Sequence, residues 1–241
     1  MPRTQFGAPV TSGGRPVVTQ AIVIICAVVW VLQQVSPRVT FELEFVPFLG
    51  ASQPWRFLTT AFAHSPGQIM HILFNMFALW QIGQYLEPML GRLRFAILYL
   101  LSAIGGSVGY LLLTSPQLDA GAGGYVWAPV VGASGAVFGL FGALIILNRH
   151  LGRSSSAMFG VLAINAVLGF VLPGIAWQAH LGGVLTGVAL AAVITATAPV
   201  NRRRLQLPAL AAVLVLLIAV AGAKYAVTDH SLLQSLANFG A

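Results

Sequence analysis

The chain has 241 residues, of which 58% are hydrophobic and only 7% are charged, and its twelve Lys and Arg outnumber its five Asp and Glu to give a formal net charge of +7. Its mean hydropathy is +0.88. Soluble domains carry about 25% charged residues, so this composition excludes a soluble globular enzyme, a disordered chain and a fibrous repeat. The class that remains is a polytopic membrane protein. In such a protein a surplus of basic side chains sets orientation, so we expect no nucleic-acid partner.

Seven apolar stretches lie between polar segments, and each is close to the ~20 residues that cross a bilayer as a helix. The predicted fold is therefore an all-α polytopic membrane protein with seven spans. In chain order these spans are 17–35, 68–87, 92–114, 132–148, 156–173, 177–197 and 206–226. The single cysteine, Cys26, excludes a disulfide within the chain and a Cys-rich metal site.

The basic residues predict how these spans are oriented. If the N-terminus is cytoplasmic, nine of the twelve Lys and Arg fall in inner segments and only Arg38, Arg56 and Lys224 fall outside. Basic residues collect on the cytoplasmic side of membrane proteins, so we predict an N-in, C-out topology. The chain then divides into a cytoplasmic tail, a six-helix core, and a C-terminal part with a basic linker, the seventh span and a short outer tail: 1–16, 17–197 and 198–241.

The longest predicted loop, residues 36–67, lies on the outer side in this topology. Its many aromatic residues favour a segment lying in the membrane interface rather than in bulk water. Trp55 and Arg56 are expected to form an interfacial anchor pair within it. Three histidines outside the spans are expected to be solvated: His64, His150 and His230.

Polar side chains inside spans are costly and often functional, and four of them are predicted to lie at one depth. His71 and Asn75 are four residues apart in the second span, so they share one helix face. Ser134 begins the fourth span, and His180 lies near the start of the sixth. All three spans enter from the outer side, so topology alone brings these residues together near the outer face.

These residue types suit acyl transfer. A serine hydroxyl is a weak nucleophile until a base, usually histidine, takes its proton. The oxyanion that forms needs preplaced donors, such as an Asn amide, a His N–H or a free backbone N–H in the first turn of a helix. Ser134 as nucleophile, His180 as base, and His71 with Asn75 as oxyanion donors form one consistent set. No acidic residue lies at that depth, so the predicted site is a Ser–His dyad.

Glycine spacing predicts that the fourth and sixth spans pack closely. Gly183 and Gly187 on the sixth span form the small-xxx-small pattern that lets helices approach. Gly135 and Gly139 form a similar stripe on the fourth span. Such an approach is what a hydrogen bond between a serine on one span and a histidine on the other requires.

Each of these polar residues also has a structural interpretation. A lone Ser or His within a span is commonly a packing residue or a helix–helix hydrogen-bond partner worth about 1 kcal/mol or less. The sequence GASG is a weak signal in a chain with 26 glycines. The catalytic interpretation is favoured because complementary residue types lie at one depth.

With these motifs in place, the chain resembles the rhomboid family of intramembrane serine proteases. The resemblance covers the six-span core, residues 17–197, and depends on four motifs in order. These are Trp55-Arg56 in the long loop, HILFN with His71 and Asn75, GASGAVFGL with Gly132 and Ser134, and AHLGGVLTG with His180, Gly183 and Gly187.

The resemblance implies a Ser134–His180 dyad and an oxyanion site formed by His71, Asn75 and the backbone N–H of Ser134. It also implies a water-accessible cavity open to the outer side, single-span membrane proteins as substrates, and no metal or cofactor. Phe138 stands where many relatives have a tyrosine that stacks on the catalytic histidine, and phenylalanine retains that stacking face. The expected supporting residues are Gly132, Gly135, Phe138, Gly183 and Gly187. The implied location is a bacterial-type plasma membrane, with the active site facing outward.

Two other functions compete with this interpretation. A catalytically silent, rhomboid-like binding factor typically lacks the Ser or the His, and both are present here. A transporter would continue its polar pathway across the midplane and commonly shows an internal repeat. Here the polar cluster stops in the outer third, and the sequence shows no repeat.

Overall fold

The computed structural model describes residues 4–6, 15–119, 124–171 and 174–228. Helices form most of this part of the chain. In order they are α1 (Val17–Val35), α2 (Pro37–Leu43), α3 (Arg56–Thr59), α4 (Ile69–Leu90), α5 (Arg92–Leu113), α6 (Ser134–His150), α7 (Ser156–Val171), α8 (Trp177–Ala196) and α9 (Gln206–Val227). Short 3-10 turns extend the connections at Pro47–Leu49, Thr60–Phe62 and Val200–Leu205.

All seven apolar stretches of the sequence are helical, with ends within one turn of the predicted ones where the structure describes them. Among the described residues, four helical segments are long and apolar enough to cross a membrane, and α6 is apolar but shorter. The four segments are Val17–Val35, Arg92–Leu113, Trp177–Ala196 and Val200–Val227.

One element departs from the predicted all-α fold. Between α5 and α6 the chain forms an antiparallel pair of strands, β1 (Gln117–Asp119) and β2 (Gly124–Val126), with Leu118 opposite Tyr125. Strands of three residues are too short to show the alternating pattern by which a strand is recognised in a sequence. The all-α fold class is confirmed, and this short hairpin is an irregularity in one loop that the sequence did not predict.

The centre of the bundle is a contact of α8 with α6 and α5 in which backbone meets backbone. A Cβ on Gly183 would stand 1.9 Å from the carbonyl oxygen of Gly135, and a Cβ on Gly187 would stand 1.9 Å from that of Gly139. On the other side of α8, a Cβ on Gly182 would stand 2.3 Å from the carbonyl oxygen of a glycine in α5. Only glycine fits these positions at this helix separation.

An acidic residue joins α4 to the start of α1. The Glu87 side chain is 2% exposed. Its carboxylate accepts hydrogen bonds from the backbone N–H groups of Val18 and Thr19 at 2.9 and 2.8 Å, and from the Thr19 hydroxyl at 2.8 Å. These N–H groups have no partner within their own helix, and a negative charge is favourable at a helix N-terminus. Glu87 is therefore a structural residue, far from the polar cluster.

Helix α9, the last one in the described part of the chain, is attached at both ends. The buried Gln206 side chain accepts a hydrogen bond from Arg94 Nε at 2.5 Å and donates one to Thr197 Oγ1 at 3.0 Å. Near the other end, the Tyr225 hydroxyl donates to the carbonyl oxygen of Pro47 at 2.7 Å. Helix α9, the seventh predicted span, thus contacts α5, the end of α8, and the long loop before α4.

The glycine contact generates a stability prediction. Gly183→Ala should lower the free energy of unfolding by about 1–3 kcal/mol, because the added methyl group forces α6 and α8 apart. Thermal unfolding in detergent micelles measures this as a lower Tm. Gly222→Ala is the matched control, since no atom lies within 4 Å of the Cβ position of Gly222 in α9, and its Tm should stay equal or rise slightly. Equal Tm values for both variants would contradict the close packing of α8 against α6 at Gly183.

Candidate active site

Three helices, α4, α6 and α8, begin at the same end of the bundle and bring the polar residues together. Ser134 is the first residue of α6, and His180 lies in the first turn of α8. The His180 Nε2 atom is 2.9 Å from Ser134 Oγ, which is an ordinary hydrogen-bond distance. Both residues are only partly buried, so the pair remains open to a reactant.

An aromatic ring fixes the plane of the His180 imidazole. Phe138 lies one turn after Ser134 on α6, and its ring stacks on that of His180 with centroids 4.1 Å apart and planes within 7° of parallel. The Phe138 side chain is 8% exposed. The stacked face limits rotation of the imidazole away from the serine.

Gly132 keeps a space open between His71 and Ser134. Its φ of +137° lies in the region that favours glycine. A Cβ at Gly132 would stand 2.8 Å from His71 Nε2 and 3.6 Å from Ser134 Oγ. A side chain at this position would fill the gap between these two groups. Gly135, on the other side of Ser134, packs against the backbone of α5 and α8, with its Cβ position 3.3 Å from Gly106 Cα.

Asn75 lies one turn after His71 on α4 and is 8% exposed. Its side-chain amide donates a hydrogen bond to the backbone carbonyl of His71 at 2.8 Å. An asparagine amide has two N–H groups, so one remains for another acceptor. The structure thus groups His71 with Gly132 and Ser134 directly, and it ties Asn75 to that group through the backbone of His71.

The long loop before α4 corrects one sequence prediction. Trp55 is 51% exposed, as an interfacial residue would be, but Arg56 is fully buried and is not part of an anchor pair. Its guanidinium donates to the carbonyl oxygens of Phe41 and Glu44, the latter at 2.8 Å, and its Nε donates to Gln53 Oε1 at 2.5 Å. A buried charge needs such partners, so Arg56 acts as the centre around which the loop folds.

This loop holds the segment that precedes Ser134. Phe45 and Val130 exchange backbone hydrogen bonds at 3.0 and 2.9 Å. The Thr60 hydroxyl donates to the carbonyl oxygen of Val130 at 2.6 Å, and the Gly132 N–H donates to the carbonyl oxygen of Thr60 at 3.0 Å. The start of α6 is therefore fixed by hydrogen bonds to the loop as well as by helix packing.

The second correction concerns His64, which was expected to be solvated and is fully buried. Its Nε2 accepts a long hydrogen bond of 3.5 Å from the N–H of Ala133, the residue before Ser134. Its ring meets that of His71 edge to face, with centroids 5.3 Å apart. Burial, together with the nearby charge that His71 can carry, lowers the pKa of His64 to about 3, so it is neutral at physiological pH.

A sequence signal for His64 existed. The aromatic content that predicts an embedded loop also predicts that a polar residue inside the loop is buried and paired. Of the other two histidines that were expected to be solvated, His150 is exposed, and His230 lies outside the described residues. Within the part of the chain that the structure describes, no three His, Cys, Asp or Glu side chains are grouped so as to hold a metal ion.

Comparison with known proteins identifies the family. A model of the Rhomboid domain matches residues 51–197, which include His71, Asn75, Ser134 and His180. The chain belongs to the rhomboid family. Together with its apolar helices, this makes it an integral membrane protein.

Individual rhomboid relatives come from bacteria and plants. The chain is 30% identical over 199 residues to Rhomboid protease GluP of Bacillus subtilis, covering 78% of this chain and 36% of that protein. It is 35% identical over 159 residues to RHOMBOID-like protein 4 of Arabidopsis thaliana, covering 63% of this chain and 37% of that protein. RHOMBOID-like protein 6, mitochondrial, of the same plant is 31% identical over 160 residues, with 63% and 47% covered. The chain therefore spans about a third to a half of the length of these relatives.

The burial of His64 predicts a specific pH dependence of stability. In the unfolded chain this residue takes up a proton below pH 6.5, whereas in the folded protein it does so only near pH 3. Stability is therefore lost as pH falls between these values, by at most about 1.4 kcal/mol per pH unit for this one group. His64→Gln keeps a hydrogen-bond acceptor and removes the titration. As pH falls from 7 to 4.5, the Tm of the variant should therefore rise relative to the Tm of the wild type.

The control for this experiment is His150→Gln, which removes an exposed histidine. Its Tm should follow that of the wild type at every pH. If the curves of Tm against pH for wild type and His64→Gln were parallel, burial would not lower the pKa of His64.

Proposed function

We propose that this chain is an intramembrane serine endopeptidase in which Ser134 and His180 form the catalytic dyad. The observation that carries the proposal is the 2.9 Å contact between Ser134 Oγ and His180 Nε2 at the open end of the bundle. Membership of the rhomboid family and similarity to a relative named as a rhomboid protease support the same activity.

In the first half of the reaction, Ser134 Oγ attacks the carbonyl carbon of the scissile peptide bond while His180 Nε2 takes the hydroxyl proton. The electron pair of the C=O bond moves to oxygen and forms an oxyanion. The proposed donors to this oxyanion are the His71 Nε2–H, the Asn75 amide and the backbone N–H of Ser134. The last of these is free because the first N–H groups of a helix have no partner within it.

In the second half, the oxyanion collapses, the C–N bond breaks, and His180 gives its proton to the leaving amine nitrogen. An ester between Ser134 and the N-terminal part of the substrate remains. Water then attacks this ester with His180 again as the base, releasing a carboxylic acid and restoring the serine. Phe138 supports both halves because its stacked ring holds the imidazole in one plane.

The membrane arrangement is part of the proposal. Seven spans in an N-in, C-out topology place nine of the twelve basic residues on the cytoplasmic side. The dyad then faces the outer side of a bacterial-type plasma membrane, where water reaches it. Its substrates are single-span membrane proteins cut in or near their transmembrane segment, and the reaction uses side chains alone, without a cofactor. The three-part organisation, with a six-helix core at 17–197, belongs to the same proposal.

A reconstituted assay tests the activity. Wild-type protein in liposomes should cleave a labile single-span substrate and be labelled by a fluorophosphonate probe. Ser134→Ala should abolish both, because no other group can serve as nucleophile. His180→Ala should lower the rate by about 100-fold or more through loss of the base, while Phe138→Tyr should stay active. Ser154→Ala, at an exposed serine, is the control.

Two outcomes would contradict the protease. Intact substrate and an unlabelled wild type, under conditions where a related protease works, would favour a silent binding factor. Equal labelling of wild type and Ser134→Ala would place the reactive group elsewhere.

A labelling experiment tests the topology. The only cysteine, Cys26, is buried, so Cys26→Ser provides a background without thiols. In that background, a membrane-impermeant maleimide applied to intact bacterial cells should react with Ser52→Cys in the long loop and not with Ser154→Cys between α6 and α7. Both serines are exposed in the structure. Reaction at Ser154→Cys alone would reverse the orientation.

A further inference from the structure

The two ring nitrogens of His71 face different partners. Nδ1 lies 3.4 Å from the backbone N–H of Ser65 and 3.2 Å from the Ser65 hydroxyl. Nε2 lies on the other side, 2.8 Å from where a Cβ of Gly132 would stand. That same point is 3.6 Å from Ser134 Oγ. One edge of the ring therefore faces the loop and the other faces the serine.

The partner at Nδ1 determines which nitrogen carries the proton. A backbone N–H can only donate, so the Ser65 N–H favours a lone pair on Nδ1. A neutral imidazole has one N–H, which is then on Nε2. The Ser65 hydroxyl, at 3.2 Å, can donate to the same lone pair and add to this preference.

The choice of nitrogen matters because of what Nε2 faces. An oxyanion attached through Ser134 Oγ forms beside Gly132, within reach of His71 Nε2. A hydrogen on Nε2 stabilises that negative charge, whereas a lone pair on Nε2 repels it. A histidine in the other tautomer would occupy the same place and would not assist the reaction.

Ser65 is itself held in place by α1. Its carbonyl oxygen accepts hydrogen bonds from Trp30 Nε1 at 3.4 Å and from the Gln68 N–H at 3.2 Å. The preceding N–H, that of His64, donates to Gln33 Oε1 at 3.0 Å. The donor pair of Ser65 is thus fixed relative to the bundle and does not depend on His71 for its position.

We propose that Ser65 is a positioning residue whose backbone N–H and hydroxyl fix the neutral Nε2–H tautomer of His71, so that an N–H faces Ser134. This role rests on the proposed function, because the tautomer assists catalysis only if an oxyanion forms at Ser134. The neighbouring His64 ring is neutral at physiological pH and adds no charge that would disturb this arrangement.

Nitrogen NMR of 15N-histidine-labelled protein tests the tautomer directly, with the signals of His71 identified by their loss in His71→Gln. At neutral pH the wild type should show an unprotonated Nδ1 and a protonated Nε2. Ser65→Ala removes the hydroxyl but keeps the backbone N–H, so it should show a minor population with the proton on Nδ1. Ser65→Thr should restore the wild-type spectrum. A wild-type spectrum with the proton on Nδ1, or on both nitrogens, would overturn the proposal.

Kinetics supply a second measurement. Loss of one hydrogen bond worth about 1 kcal/mol corresponds to about a fivefold fall in rate. Ser65→Ala should therefore lower kcat about fivefold with KM unchanged, because the oxyanion exists only in the transition state. Ser65→Thr should recover kcat, and Ser52→Ala, at an exposed serine of the same loop, should match the wild type.

The two proposals fail in different ways. A spectrum and a kcat that are both unchanged in Ser65→Ala would overturn the role of the Ser65 hydroxyl, and a proton on Nδ1 in the wild type would overturn that of the backbone N–H. Neither result would contradict the protease. A wild type that neither cleaves nor reacts with the fluorophosphonate would overturn the protease, and the nitrogen spectrum would still decide whether Ser65 sets the tautomer.

Discussion

The arrangement of the site depends on the direct contact of two helix backbones. Helices α6 and α8 meet where Gly183 and Gly187 face the carbonyl oxygens of Gly135 and Gly139, with no room for a methyl group between them. Within a bilayer no hydrophobic effect drives helices together, so close van der Waals packing between small residues has to hold them. Because this contact begins at the first turn of both helices, a short serine side chain can reach a histidine across it.

The second constraint is that backbone and polar groups near the membrane must find partners within the protein. The irregular loop before α4 meets this requirement through the buried Arg56, whose guanidinium donates to loop carbonyl groups. The loop in turn bonds to Val130 and Gly132, just before the helix that begins with Ser134. It also supplies His64 and Ser65 to the surroundings of His71. The loop is therefore a structural part of the site, and α9 reaches it through Tyr225.

Much of this could be predicted from the sequence because helices in membranes follow simple rules. Apolar length located the seven helical stretches, and the four-residue spacing of His71 and Asn75 placed them on one helix face. The positions of Ser134 and His180 near the starts of their helices were enough to predict their contact. Each of these inferences uses the helical repeat or the position of a residue within a span, and both can be read from a single sequence.

What the sequence did not reveal lies in irregular backbone. The burial of Arg56 and of His64 depends on the path of a loop with no period, so both residues were assigned to the surface. The hairpin between α5 and α6 is too short to leave a pattern, and the hydrogen bond from Tyr225 joins residues that are 178 positions apart. Ser65 was overlooked for the same reason, since nothing local in the sequence shows that it faces the Nδ1 atom of His71.

The proposed reaction requires that the space beside Ser134 receive an oxyanion. The most direct measurement is a structure of the protein after reaction with a fluorophosphonate, whose phosphoryl oxygen stands in for the oxyanion of the tetrahedral intermediate. We expect phosphorus bonded to Ser134 Oγ, with the phosphoryl oxygen within hydrogen-bond distance of His71 Nε2 and of the Ser134 backbone N–H. Phosphorus on another residue, or a phosphoryl oxygen turned away from both donors, would contradict it.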